Sequence, residues 1–285
     1  MQDHFCGWYF KCQSGDSTLA IIPASHCRNG RRSNSIQIIT NDTSRTVFYP
    51  YDALKIEQNG FSIGNSYFGR DGVILRISED GLTASGRLIF GPFSGIKYDV
   101  MGPFKYLPLM ECRHSIKSMS HTVGGEITVN GRSYALGGGR GYIEGDRGRS
   151  FPSRYLWTHT FFDGGSLMLS IADIPLGAMK FTGIIGIIHY RGREYRLATY
   201  LGARVVRLQG GEAVVRQGRS ELAVRLIERR ALPLAAPCLG EMSRTIHEST
   251  SCTAEYTFKI GSSTIFSFLT DKASFELEYP SEGPL

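Results

Sequence analysis

The sequence lacks most of the short motifs that announce a chemistry. Its six cysteines (Cys6, Cys12, Cys27, Cys112, Cys238 and Cys252) form no C-x-x-C pair, and H-E-x-x-H is absent. Zinc-type spacing is therefore missing, and no metal is expected. G-x-S-x-G is absent too, which removes the nucleophile elbow of the α/β-hydrolases. No window of about 12 residues keeps a 3.6-residue apolar period, so long amphipathic helices are excluded. The most apolar run, Phe181 to His189, is less than half of the ~20 residues a membrane helix needs. Its isoleucines and glycines read as a buried strand. The opening Met1-Gln2-Asp3-His4-Phe5 has neither a basic n-region nor an apolar h-region, so no signal peptide is expected. A chain of 285 residues can bury a core without disulfides. Reduced cysteines and a cytoplasmic location are the expectation.

Charge of one sign is also modest. The net charge is +6, charged residues are 20% and hydrophobic residues 41%. Disorder is excluded by that balance. The basic residues are scattered, and the densest groups, Arg28 to Arg32 and Glu228 to Arg230, extend into no basic arm. No nucleic-acid partner is expected.

What the sequence has in excess is glycine: 34 residues, where roughly 20 would be usual at ~7%. Many sit where hairpins need them, at Asn59-Gly60, Asp71-Gly72, Asp80-Gly81, Asn130-Gly131, Asp163-Gly164-Gly165, Arg191-Gly192, Gln209-Gly210-Gly211 and Gln217-Gly218. Asn-Gly and Asp-Gly between alternating runs are the strongest local hairpin signal. The chain reads as all-β, with too many strands for one small barrel. The best helix candidate, Tyr51 to Lys55, is barely a turn. Residues 91–125 hold Pro92, Pro103 and Pro108 and read as a crossover between two β-units, 1–122 and 123–285.

Residues 137–157 break the meander pattern. They mix Glu144, Asp146, Arg140, Arg147, Arg149 and Arg154 with Tyr142, Phe151, Tyr155 and Trp157 among five glycines from Gly137 to Gly145. A segment this charged and aromatic reads either as an irregular functional segment or as a salt-bridged loop plugging a barrel end. Glu144 and Asp146 have period-2 spacing and would share one side if the segment is extended. No helix follows Gly137-Gly138-Gly139, so the glycines are not read as a phosphate loop.

Gly141-Tyr142-Ile143-Glu144, followed by Gly148, Ser150-Phe151-Pro152 and Trp157, resembles the signature of the tocopherol cyclase family. So do Gly7-Trp8-Tyr9-Phe10-Lys11, Met101-Gly102-Pro103-Phe104, Ile171 to Pro175, Ala198-Thr199-Tyr200, Ala236-Pro237, Gly240-Glu241-Met242 and Ile246-His247-Glu248. The resemblance runs in order along essentially the whole chain and is greatest to the compact bacterial members. It implies an all-β fold of two lipocalin-like antiparallel β-barrel or sandwich units, with a pocket at or between them. It also implies closure of a chromanol ring on a prenylated hydroquinone, with no cofactor: a proton goes to the alkene and a phenol oxygen captures the cation. The plant-type pattern has a tryptophan where this chain has Arg147, and a glutamine and an asparagine where it has His159 and Phe161.

Protonating an alkene needs an acid kept protonated in an apolar pocket, aromatic faces for the cation and a base for the phenol proton. Glu144 and Asp146 are the first candidates for the acid. Asp173, inside the apolar run Ser170 to Pro175, is the third, because a buried aspartate either pairs with an arginine or has a job. An upward-shifted acid among these three is the expectation, unless Arg140, Arg147 or Arg149 clamps them. Glu111 and His114 offer an acid and a base near the proposed junction; His114 and His121 also read as satisfied structural histidines. Trp8, Tyr9, Tyr142, Phe151 and Trp157 are candidate cation walls or core residues, and Arg147 and His159 are added as substrate contacts. Cys112 beside His114 is a weaker nucleophile candidate. The partner expected is a hydrophobic small molecule, with peripheral membrane contact for its pickup. The competing reading of the same fold is a carrier of an isoprenoid or lipid without turnover.

Overall fold

The computed structural model describes residues 3–79, 81–107, 110–176 and 179–279. Asp80 of the expected Asp80-Gly81 turn and Pro108 of the expected crossover lie outside them. Among the described residues there are 22 β-strands, three short 3-10 segments and no α-helix. Tyr51–Ala53 is one of the 3-10 segments. Among the described residues no helix is long and apolar enough to cross a membrane.

Most hairpin glycines act as their sequence context implies, but at Asn59-Gly60 and Asp71-Gly72 the turns are Gln58-Asn59 and Arg70-Asp71, and Gly60 and Gly72 open the following strands. Asn130 and Gly131 both take positive φ, 47° and 80°, between β10 (Cys112–Val129) and β11 (Arg132–Ala135). That is the backbone a tight antiparallel turn requires. Phe181 to His189 lies inside β15 (Met179–Tyr190), with Ile184, Ile187 and Ile188 buried.

Two antiparallel sheets result. The first runs β4 (Ser44–Pro50), β3 (Arg31–Thr40), β2 (Ser17–Arg28), β1 (His4–Ser14), β12 (Gly139–Gly148), β10, β9 (Leu82–Phe90), β8 (Gly72–Glu79), β7 (Ser66–Gly69), β6 (Gly60–Ile63) and β5 (Leu54–Glu57), with β11 attached to β10. The second runs β16 (Arg193–Ala198), β15, β14 (Gly165–Leu176), β13 (Tyr155–Phe162), β22 (Ser263–Leu277), β21 (Glu241–Ile260), β19 (Ser220–Glu228), β18 (Glu212–Gln217) and β17 (Arg204–Gln209), with β20 (Leu232–Cys238) attached to β21. This is the lipocalin-like barrel or sandwich architecture, without a closed barrel among the described strands.

Each sheet wraps its own core, because alternate residues of its strands are apolar. In the first, Phe10, Ile21, Ile36, Val73, Leu75, Leu88 and Ile143 meet. In the second, Leu156, Leu167, Leu169, Ile171, Leu222, Tyr256 and Phe275 do so. Each fully buried Leu or Ile contributes roughly 1.5–3 kcal/mol relative to exposure.

The chain divides into two compact units: Met1–Ile96 with Glu111–Phe151 and Leu232–Thr245, and Lys97–Met110 with Pro152–Ala231 and Ile246–Leu285. The expected boundary at 122/123 falls inside β10, an 18-residue strand that pairs with both β12 and β9. The signature is divided: Gly141 through Phe151 belong to the first unit, and Pro152 and Trp157 to the second.

The core of the segment is also not an irregular loop, although residues 149–154 are irregular. Gly139–Gly148 is a central strand, flanked by β1 and β10. Its glycines serve close approaches of neighbouring strands rather than the bends of a loop. A Cβ on Gly141 would overlap the His121 imidazole, one on Gly145 the Trp8 ring, and one on Gly148 the backbone oxygen of Glu111.

Candidate active site

Because β12 is extended, its side chains alternate. Ile143 enters the first core beside Phe10. Tyr142, Glu144 and Asp146 occupy the opposite face, so the period-2 expectation for the two carboxylates holds. The register supplies their neighbours: Lys11, Tyr9 and Gly7 from β1, and Ile116 and His114 from β10. Tyr142 and Lys11 are fully buried, and Tyr9 and Glu144 nearly so.

His114 is the centre of this group. Its Nδ1 lies 3.0 Å from Asp146 Oδ1 and its Nε2 lies 3.1 Å from Glu144 Oε2. The Tyr142 hydroxyl donates to the same Glu144 oxygen, in a short hydrogen bond. On the other side the Cys112 thiol donates to Asp146 Oδ1 at 3.5 Å. The chain of contacts is thus Tyr142, Glu144, His114, Asp146, Cys112, all on neighbouring strands of one sheet.

The electrostatics follow from that order. Burial works against a charge on His114, but the carboxylates of Asp146 and Glu144 outweigh it and hold the imidazole well above its usual pKa. The Tyr142 phenol is pushed well up, by burial first and then by Glu144. It acts as a hydrogen-bond donor rather than a phenolate. Burial, then Asp146, pushes the Cys112 thiol up as well. A thiol that stays protonated is a poor nucleophile, which removes the covalent reading of Cys112. None of the six cysteines forms a disulfide.

His114, Glu144 and Asp146 offer three donor atoms within 4.8 Å of one another, close enough for a cation to bridge. Asp146 Oδ1 stands on the Nδ1 side of the ring and Glu144 Oε2 on the Nε2 side.

The remaining sequence candidates are distributed differently. Trp8 lies over Gly145 and packs toward the first core, with Lys117 Nζ 5.4 Å from its ring. Arg147 is in register with Cys6 and Arg113, on the face opposite Asp146. Phe151 packs edge-on against Phe5 at 5.4 Å. His121 is buried between Phe90 and Phe93, with Nδ1 3.0 Å from Ser118 Oγ. Burial lowers its pKa to about 4, as expected for a neutral structural ring.

Asp173, Trp157 and His159 belong to the second unit. Asp173 has the arginine partner that its sequence context allowed: Arg154 Nε lies 3.5 Å away, and the Tyr279 hydroxyl donates to its carboxylate at 3.3 Å. Trp157 and His159 are buried on the face of β13 that turns away from the second core, in register with Glu276 and Ser274. Sequence reasoning missed this polar face. Tyr155 donates to Glu276, and Glu276 stands opposite Glu248, a pair of buried glutamates on adjacent strands. It also missed Lys11. The available signal was a lysine inside the aromatic run Trp8-Tyr9-Phe10-Lys11, a charge where an alternating strand faces inward on both sides.

With the fold and the site in hand, the chain falls in the class of two-sheet, lipocalin-like β-proteins. No protein-family profile and no curated protein sequence matches it. Several solved structures share its fold. An AttH candidate from Nitrosomonas europaea is 10% identical with a TM-score of 0.59, covering 98% of this chain and 93% of that one. Kievitone hydratase from Nectria haematococca is 9% identical with a TM-score of 0.57, covering 97% and 89%. CghA, solved with Sch210972, is 11% identical with a TM-score of 0.61, covering 99% and 90%.

Proposed function

We propose that this protein is an enzyme that adds an O–H group across a double bond of a hydrophobic small molecule by acid chemistry. Ring closure of a prenylated hydroquinone or a related substrate is the specific form. The observation that carries this reading is the buried Tyr142–Glu144–His114–Asp146 array. In this reading Asp146 is the standing counter-charge of the His114 imidazolium; at rest the Glu144 carboxylate shares that imidazolium, and in the reacting form Glu144 carries the proton to be transferred. Glu144 then donates that proton to the alkene. The phenol oxygen captures the tertiary cation, and its proton returns to the Glu144 carboxylate directly or through His114. Atoms and charge balance without a cofactor. Tyr142 orients the Glu144 carboxyl, and Tyr9 on the same face supplies an aromatic surface for the cation.

Hydration and cyclisation share the first step, since both add an O–H to a protonated alkene. The name of kievitone hydratase and the ligand of CghA accord with small-molecule chemistry on this fold, as an analogy of fold rather than of site. The test is turnover of a prenylated hydroquinone, followed as chromanol formation, for the native protein and Glu144→Gln. Turnover falls by about two to four orders of magnitude in the variant while ligand affinity is retained. Unchanged turnover removes Glu144 as the acid. Binding by the native protein with no product supports the carrier instead.

A further inference from the structure

The second unit carries an apolar surface that its own core does not use. The loop 97–107 folds against the 3-10 turn Thr199–Leu201, and the contact is made by inner side chains. Phe104 packs edge-on to Tyr200 at 5.9 Å and against Phe181 at 5.8 Å. Gly102, at φ 52°, leaves room for the Tyr200 ring, which a Cβ there would overlap. Arg196 donates to the backbone oxygens of Tyr98 and Asp99 at 2.9 and 3.1 Å, and the Tyr200 hydroxyl donates to Val100 O at 3.1 Å. The loop is therefore pinned, and its outer side chains are held outward by structure. Tyr106 is 76% exposed and Leu201 44%, with Leu107 beside Tyr106 exposed as well.

The charges around these tips are mainly basic. Segments 97–107 and 199–207 hold Lys97, Lys105, Arg204 and Arg207 against the acid Asp99, a net of 4 − 1 = +3. Arg207 pairs with Glu212 at 3.2 Å, and Glu194, which accepts from the Lys97 backbone N–H, pairs with Arg196, so the surface charge rests on Lys97, Lys105 and Arg204. Lys105 Nζ lies along the Tyr106 ring at 4.9 Å, and Lys97 and Arg204 are exposed. Exposed tyrosine and leucine tips interleaved with basic residues match the layered chemistry of a lipid surface, where rings and alkyl groups enter the headgroup region and cations meet lipid phosphates.

We propose that this end of the second unit docks on an anionic lipid bilayer. The inference rests on the surface alone and stands independently of the acid chemistry above. It is tested without substrate, by cosedimentation of the full chain with phosphatidylglycerol–phosphatidylcholine vesicles and with pure phosphatidylcholine vesicles. The protein binds the anionic vesicles and is released by salt. Lys105→Glu reduces partitioning by roughly fivefold or more, the weight of about one basic residue or more at the surface. The double change Tyr106→Ser with Leu201→Ser reduces it again at constant charge. Arg229→Glu, beyond the far end of β19, alters net charge equally and leaves partitioning within about twofold, because screening confines the effect to a Debye length. Absence of vesicle binding overturns the proposal. So does an equal effect of Lys105→Glu and Arg229→Glu, or equal binding to neutral vesicles. Tyr106→Ser with Leu201→Ser losing a protein complex but no vesicle binding assigns the surface to a protein partner instead.

Discussion

At the scale of single residues, the site turns on one imidazole shared by two carboxylates. Asp146 and Glu144 hold the charged form of His114, so it remains an imidazolium above its ordinary value of 6.5. A raised histidine stabilises the fold fully below about pH 6.5, and that contribution is lost as pH rises through its folded value. Asp146→Asn removes one of the two counter-charges and lowers the His114 titration, which NMR of the ring protons reads directly. An unmoved titration in Asp146→Asn would show that the pair is not coupled as the 3.0 Å contact implies. Glu144 and Asp146 were legible in the sequence because two carboxylates at period 2 share a face whenever a strand forms. Lys11 and Glu276 were not. Their burial depends on neighbouring strands, and neither residue type signals that locally.

At the scale of elements, β12 shows how glycine content misleads. Charge plus five glycines reads as a loop, yet the segment is a central strand whose glycines admit neighbouring side chains and backbone. Gly148 sits against the backbone oxygen of Glu111, which has no flexible end to move aside, whereas Gly137 has open space around its Cβ position. Gly148→Ala is expected to destabilise the protein by about 1–3 kcal/mol in urea unfolding, the usual cost of overpacking. Gly137→Ala stays within about 0.5 kcal/mol, the range of an unconstrained surface change. Equal effects from the two would mean that the close approach at Gly148 is relieved at little cost. The hairpins around β12 were legible for the opposite reason: Asn130-Gly131 needs positive φ at both residues, and the sequence states that requirement within two positions.

At the scale of the molecule, all-β character was legible because turns repeat along the whole chain. The partition into units was not. It depends on β12 pairing with β1 more than 120 residues earlier, a contact that leaves no local mark. The first unit also carries an acid liability. His26 and His121 are both buried, and burial lowers each pKa from 6.5 to about 4. A depressed histidine is neutral in the fold and takes up its proton more readily when unfolded. Stability is therefore present above about pH 6.5 and is lost as pH falls through about 4, at most roughly 3 kcal/mol for each ring. Thermal unfolding at pH 7 and 4.5 measures this loss. Variants His26→Gln and His121→Gln are expected to flatten the pH dependence, and an unchanged slope would assign the acid sensitivity to other groups.

The central claim is that a proton passes from Glu144 to a carbon of the substrate. The most direct measurement is the mass of the chromanol formed from a prenylated hydroquinone in deuterated water. Glu144 exchanges its proton with solvent between turnovers, so the account predicts one deuterium on a ring carbon of each product molecule and no labelled product from Glu144→Gln. Product without carbon-bound deuterium, or labelled product from Glu144→Gln at the native rate, would contradict it.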